Sequence, residues 1–335
     1  MEGDPQIRLS LKVLDRYEKA SLTKNDLLET LHAVTDVETK GCWAGITKNI
    51  DGQVLSAGVF QWNYGQGSIQ PILGEFKSRF ERHEFKDILI NHMPKHGRDV
   101  FSAKCLALKP KKEAHPCEIL LLDKSDPKGK ELAPEIQAEF TKIFESNIMV
   151  EVQMDEVIRK MDRTLRNAQK LFASKQVTKT QFYWLLDLAV QQGGISNLDK
   201  FAADAKRAVE FGASKDKAHR DMTVKGILAW YAGLAFSPDQ DGIQCDWKYN
   251  LEKWRLLLDG ERLTDEKYQL LIMTWLRSRT AAGQSGRWQA LAFQRRAKIA
   301  LGVGSVGSSS VHKDNRYKCI RPTPSDFQSI FSNLN

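Results

Sequence analysis

The densest run of residues able to do chemistry opens at Glu38-Thr39 and passes through Asn49-Ile50-Asp51-Gly52. It closes in Leu55-Ser56-Ala57-Gly58-Val59-Phe60-Gln61-Trp62-Asn63-Tyr64-Gly65-Gln66-Gly67-Ser68-Ile69-Gln70-Pro71. A carboxyl group at a helix end, followed by a glycine-rich turn and a polar and aromatic wall, is a set suited to cleaving a sugar chain. Desolvation and the negative end of a helix both disfavour an ionised carboxylate, so a glutamate so placed holds a proton for a leaving glycosidic oxygen. Gln61, Asn63, Gln66 and Gln70 offer hydrogen bonds to hydroxyl and acetamide groups, and Trp62 and Tyr64 offer flat apolar faces on which a sugar ring can lie. Asp51 is the natural second carboxylate, to stabilise an oxocarbenium-like transition state or to polarise water, and it is equally placed to cap the Asn-Ile-Asp-Gly turn. Further along, Asp187, Gln191 and Gln192 fall at i, i+4 and i+5. That spacing suits a cleft wall, with Gln191 as a substrate contact, or a solvated helix face.

Helical periodicity is what must position these groups. Residues 6–20 read as a first helix. A second helix starts near Asn25 with Leu27, Leu28, Leu31, Val34 and Val37 on its apolar face, and Glu38 falls on the Leu27–Leu31–Val34 stripe, towards the core. Six glycines between Gly41 and Gly67 mark tight turns and a small hairpin, and helix returns over 68–80 with Pro71 in its first turn. The stretch 81–130 is irregular, with short strands expected at 101–108 and 117–122. Helices are expected at 131–144, 150–171, 178–192, 198–211, 222–234, 248–258, 265–278, 287–300 and 325–334. The division expected is 1–80 as the catalytic segment, 81–150 as an irregular insertion and 151–335 as the helical remainder of the same domain.

The chain has 335 residues, ample for a buried core, and its 41% hydrophobic and 27% charged composition with 8 Trp and 15 Phe is that of a folded protein. No apolar run reaches the roughly 18 residues of a membrane span and no signal-peptide core opens the sequence, so neither a membrane span nor Sec export is expected. Fifty Lys and Arg against 42 Asp and Glu give +8, which favours a polyanionic partner. The five cysteines are widely spaced with no CxxC pair, and reduced, buried thiols are expected in place of a disulfide framework or zinc site, the alternative being one or two disulfides formed after export. The seven histidines form no HExxH pattern, and Ser237-Pro-Asp-Gln-Asp-Gly242 lacks the first ligand and the closing glutamate of a calcium loop, so no metal or cofactor is expected. No nucleophile elbow is present.

The segment from Glu38 to Pro71 resembles the lysozyme-like peptidoglycan-degrading domains of phage proteins and secreted antibacterial toxins. In these a Glu-Thr ends a helix, an Asp-Gly turn follows, and a Gln-Trp-Asn-x-Gly-x-Gly-Ser-x-Gln-Pro segment lines the cleft. The clearest likeness covers about 35 residues, with echoes at 186–194 and 286–304. It implies a mainly α, lysozyme-like helical fold with a small glycine-rich turn or hairpin at the cleft and additional helices. It also implies a muramidase that cleaves the β-1,4 glycan strands of the cell wall, with Glu38 as its acid. Lytic transglycosylases of the same superfamily need only that acid, and a chitin- or chitosan-cleaving activity is a third enzymatic reading. A basic glycan- or nucleic-acid-binding module without catalysis is the alternative from another class. The likeness implies peptidoglycan as the partner of a monomer, and no nucleic acid. Action is expected in the periplasm or wall of a target or host bacterium, after synthesis in the cytoplasm. Delivery by phage release, by a contractile secretion system or within a longer polypeptide would each serve. A toxin would also need an immunity protein, with contacts expected at 81–130. Arg287, Arg295 and Arg296 are placed to meet peptide-stem carboxylates or to decorate a basic helix.

Overall fold

The computed structural model describes residues 11–39, 42–48, 54–82, 98–106, 117, 121–123, 125–126, 131–213, 217–234, 241–260, 263–281 and 286–306. The protein is mainly helical with one small sheet. In chain order the elements are α1 (Leu11–Lys19), α2 (Lys24–Thr39), β1 (Ile46–Lys48), β2 (Leu55–Ala57), β3 (Trp62–Asn63), α3 (Gln70–Arg82), a 3-10 turn (Arg98–Phe101), α4 (Ala103–Leu106), α5 (Pro134–Phe144) and α6 (Asn147–Leu171). They continue as α7 (Lys179–Gln191), α8 (Leu198–Ala213), α9 (Lys217–Ala232), α10 (Asp241–Gly260), α11 (Asp265–Ser278) and α12 (Gly286–Leu301). Two compact units divide the chain. Unit 1 comprises Met1–Leu14, Thr35–Met161 and Tyr317–Asn335, and unit 2 comprises Asp15–Val34 and Asp162–Arg316. These bounds differ from the segments read in the sequence because the division falls inside α2 and α6, where unbroken helical periodicity carries no boundary signal.

Unit 1 holds the antiparallel sheet, in the order β1-β2-β3, with Ile46 opposite Ala57, Lys48 opposite Leu55 and Ser56 opposite Asn63. Leu55, Val59, Ile69, Leu73, Phe140, Phe144, Met149 and Val152 are fully buried in its core, each such side chain worth about 1.5–3 kcal/mol relative to exposure. A row of rings, Phe76–Phe101–Phe140–Phe144, with centroids 6.2–6.5 Å apart, joins α3, the 3-10 turn and α5. Arg79 of α3 adds ion pairs to Glu75 and to Asp155 of α6. Of the strand expected over 101–108, residues 101–106 are instead the end of the 3-10 turn and the helix α4, whose first turn is capped by the Ser102 hydroxyl accepting from the Cys105 N–H at 3.3 Å, and 107–108 lie outside the described residues. In the second expected strand, Leu122 makes an isolated antiparallel bridge with Leu132.

The cysteines require a correction. Cys105 and Cys117, both buried, form a disulfide with Cα atoms 5.8 Å apart, and Cys42 is disulfide-bonded as well. Sequence spacing cannot reveal a pairing that depends on where the fold brings two Cβ atoms together.

Among the described residues, the regular elements of unit 2 are all helices. Its core centres on Tyr231, Trp254 and Phe293, whose rings lie 4.8–5.8 Å apart, surrounded by Leu228, Tyr268, Leu271, Ala290 and Ala297. Thr178 and Gln181 form a reciprocal capping box at the start of α7, and Gly193 and Gly194, both at positive φ, close it as the sequence predicts. Thr264 caps α11. The helix expected from 248 begins at Asp241, so the last two residues of the Ser237–Gly242 stretch start α10, while 237–240 and the expected 325–334 helix lie outside the described residues. Among the described residues no helix is long and apolar enough to cross a membrane.

Candidate active site

Glu38 occupies the last turn of α2, half-buried, with Oε1 fully enclosed, and Leu27, Leu31 and Val34 on the same stripe are buried as the periodicity predicts. The next residue fixes how the helix ends. Thr39 Oγ1 donates to the Thr35 carbonyl at 3.3 Å and accepts from the Cys42 N–H at 3.0 Å, and the same N–H reaches the Thr39 carbonyl at 3.1 Å. The chain then passes Gly45, which lies against the Thr39 side chain, and enters β1.

The β2–β3 turn is bolted to that segment. The Gly45 carbonyl accepts from the Gly58 N–H at 2.8 Å and from Gln61 Nε2 at 3.3 Å. Gln61 stands at φ +50, a conformation that disfavours a side chain, and its amide makes three bonds that hold it there: to the carbonyls of Gly45 and Gly58, and from the Thr47 hydroxyl at 2.7 Å. Behind the turn sits Gln153 of α6, fully buried. Its Oε1 accepts from the Val59 N–H at 3.0 Å and its Nε2 donates to the Trp43 carbonyl at 3.1 Å. Gly58, at φ +79, is the one residue that fits between them, since a Cβ there would lie 2.4 Å from Gln153 Oε1 and 2.8 Å from the Trp62 ring. Val54, a β-branched residue at φ +68 at the entrance to β2, is a second strained position, of the kind that clusters at functional sites.

The expected wall residues separate into two groups. Trp62, Tyr64 and Gln70 are at most 4% exposed, so no ring face or amide of theirs is presented to a substrate. Trp62 packs over Gly58 and against Phe60, and Gln70 donates to the Tyr64 carbonyl at 2.8 Å. Gln61 likewise spends its amide on the turn. These four build the site's scaffold, a correction to the role expected of them. Asn63, half-buried, and Gln66, exposed, remain at the surface, held together by Asn63 Oδ1 accepting from the Gln66 N–H at 2.9 Å. Asp51 lies outside the described residues.

Gln191 and Asp187 belong to unit 2, where Asp187 is buried and receives Arg295 Nε at 2.6 Å with Arg296 Nε at 3.8 Å, and Gln191 Oε1 accepts from Arg296 at 2.7 Å. Both Arg295 and Arg296 are buried, so they tie α12 to α7 and do not decorate a surface. No family model, curated protein or solved structure matches this chain. Sequence reasoning missed Gln153 and Thr47. The signal for Gln153 was present: a glutamine at i+4 from Met149 and i−4 from Val157, within an apolar stripe, is a polar group that needs buried partners.

Proposed function

We propose that the chain is a lysozyme-like glycosidase that cleaves the β-1,4 glycan strands of peptidoglycan, with Glu38 as the general acid. The observation that carries the reading is the placement of Glu38. It is a half-buried carboxyl at the end of a helix, followed by a segment braced by Gln61, Gly58 and Gln153. In the proposed step, Glu38 donates its proton to the glycosidic oxygen as the bond to the anomeric carbon breaks, and positive charge builds on the sugar. Asn63 and Gln66 supply hydrogen bonds to substrate hydroxyl or acetamide groups. Asp51 follows β1 in the chain and is the residue proposed to meet the developing charge or to activate water. The disulfide bonding of Cys42, Cys105 and Cys117 supports action in an oxidising compartment such as the periplasm or cell wall.

The test is digestion of purified sacculi by the wild type and by Glu38→Gln, with mass spectrometry of the soluble fragments. Reducing N-acetylmuramic ends that appear with wild type and vanish with Glu38→Gln are the expected result. Ends of the 1,6-anhydro form would reassign the enzyme as a lytic transglycosylase, and release of nothing would overturn the catalytic reading.

A further inference from the structure

The net positive charge of this protein falls in one unit. Unit 2 carries 28 Lys and Arg against 20 Asp and Glu, the whole +8 excess, whereas unit 1 carries 22 against 22. Among the described residues, the large apolar side chains most open to water belong to unit 2 as well: Phe211, Met222, Tyr249, Leu256 and Trp288. Their aromatic members keep cations for company. Lys253 lies 5.6 Å from the Tyr249 ring centre, the Arg287 guanidinium 5.0 Å from that of Trp288, and Arg207 is one turn before Phe211 on α8.

Of these, Phe211 opens on a groove. It lies between α8, α9 and α11, has a volume of about 530 Å³, and is lined by Asp204, Arg207, Phe211, Thr223, Ile272 and Trp275 among others. Phe211 is 76% exposed, a large cost in water for a ring that no described residue covers. Arg207 is ion-paired to Asp204 at the rim, which restrains the guanidinium beside the apolar floor. Arg279 stacks on Trp275 with its guanidinium 4.8 Å from the ring centre, bringing a second cation to the groove's aromatic wall.

We propose that this groove is a second glycan-binding site, which anchors the protein on carboxylate-bearing strands of the wall and takes no part in bond cleavage. The proposal rests on the reading of peptidoglycan as the substrate. A pyranose ring has an apolar C–H face that packs on Phe211 and Trp275, and hydroxyl groups that donate to Asp204. The carboxylates carried by muramic acid and its peptide match the fork of Arg207. The net charge of the unit draws such a polymer in from a distance. The lining is chiefly apolar, with Ala208, Phe211, Ile272 and Trp275 in it, which suits the C–H face of a sugar better than the phosphates of a nucleic acid or a lipid headgroup.

The experiment uses the full chain with Glu38→Gln, so that the wall survives, and measures co-sedimentation with purified sacculi. Phe211→Ala and Arg207→Glu, both at exposed side chains, are compared with Leu256→Ala, an exposed apolar side chain on α10. Loss of a stacking face or of the guanidinium is expected to weaken retention about tenfold, with no change for Leu256→Ala. In the active background, Phe211→Ala is expected to slow lysis of sacculi while leaving cleavage of a short soluble chito-oligosaccharide unchanged. Equal retention of all variants overturns the proposal, whether or not the wall is cleaved. So does a loss seen equally on DNA-cellulose or on anionic phosphatidylglycerol vesicles. Groove-dependent retention on sacculi that the wild type leaves undigested overturns the catalytic reading alone.

Discussion

Units 1 and 2 are held together in different ways, and the difference lies in what fixes the backbone of each. Unit 2 is a conventional helical packing: capped helices, an aromatic and aliphatic centre around Tyr231, Trp254 and Phe293, and a buried ionic knot at Asp187. Unit 1 holds a glycine-rich turn with little regular hydrogen bonding of its own. It fixes that turn with side chains that replace the missing ladder: Gln61, Gln153, Thr39 and Ser68 each bond backbone groups. A unit of the second kind depends on single polar residues and on single glycines, and a unit of the first kind is buffered by many apolar contacts except at its charged knot.

The largest effect is expected at that knot. Asp187→Ala removes the carboxylate shared by Arg295 and Arg296 in the interior and should cost unit 2 about 3–5 kcal/mol, read by chemical denaturation. If the loss were under about 1 kcal/mol, the knot would be decoration and unit 2 would rest on apolar packing alone.

Gly58→Ala should come next, at about 3 kcal/mol, since the new Cβ meets both Gln153 and the Trp62 ring and the backbone sits at φ +79. Gly193→Ala in unit 2 provides the matched control. Its φ is +70 but open space surrounds it, so about 1 kcal/mol is expected. Equal losses at the two glycines would erase the contrast drawn between the units.

Gln153→Leu strips partners from the Val59 N–H and the Trp43 carbonyl and should cost about 2 kcal/mol. It should also lower wall-lysing activity more than its effect on melting predicts, because the turn it braces follows Glu38 in the chain. Activity that tracks only the folded fraction would show that Gln153 supports the fold and nothing more.

The smallest effect concerns pH. Asp26, in the first turn of α2 within unit 2, is held below the ordinary carboxylate range chiefly by the Thr23 hydroxyl, with the Thr23 N–H adding to it against the effect of burial. A depressed carboxylate stabilises above its unfolded pKa, and the contribution is lost as pH falls through the folded value, below about pH 4. Thr23→Ala should therefore flatten the acid limb of the unit 2 unfolding curve while costing about 1 kcal/mol at neutral pH.

Much of the helical layout was legible because apolar residues recur at helical spacing, and the glycine run marked the turn and hairpin. Glu38 on the buried stripe of α2 was legible for the same reason. Trp62, Tyr64 and Gln70 were misread because a polar and aromatic run beside glycines has the same composition whether it faces a cleft or folds inward. Burial there is decided by Gly58 and Gln153, the latter more than eighty residues away in the chain. The Cys105–Cys117 pairing and the division inside α2 and α6 depend on tertiary placement, which no local pattern encodes.

The central claim is that Glu38 is the proton donor, and the most direct measurement pairs two readouts on one variant. Glu38→Gln keeps the shape of the side chain and removes its proton donor. The account predicts at least about a hundredfold loss in the rate of sacculus solubilisation, with a melting temperature unchanged from wild type. Solubilisation at the wild-type rate, or a loss matched by unfolding of the variant, would contradict it.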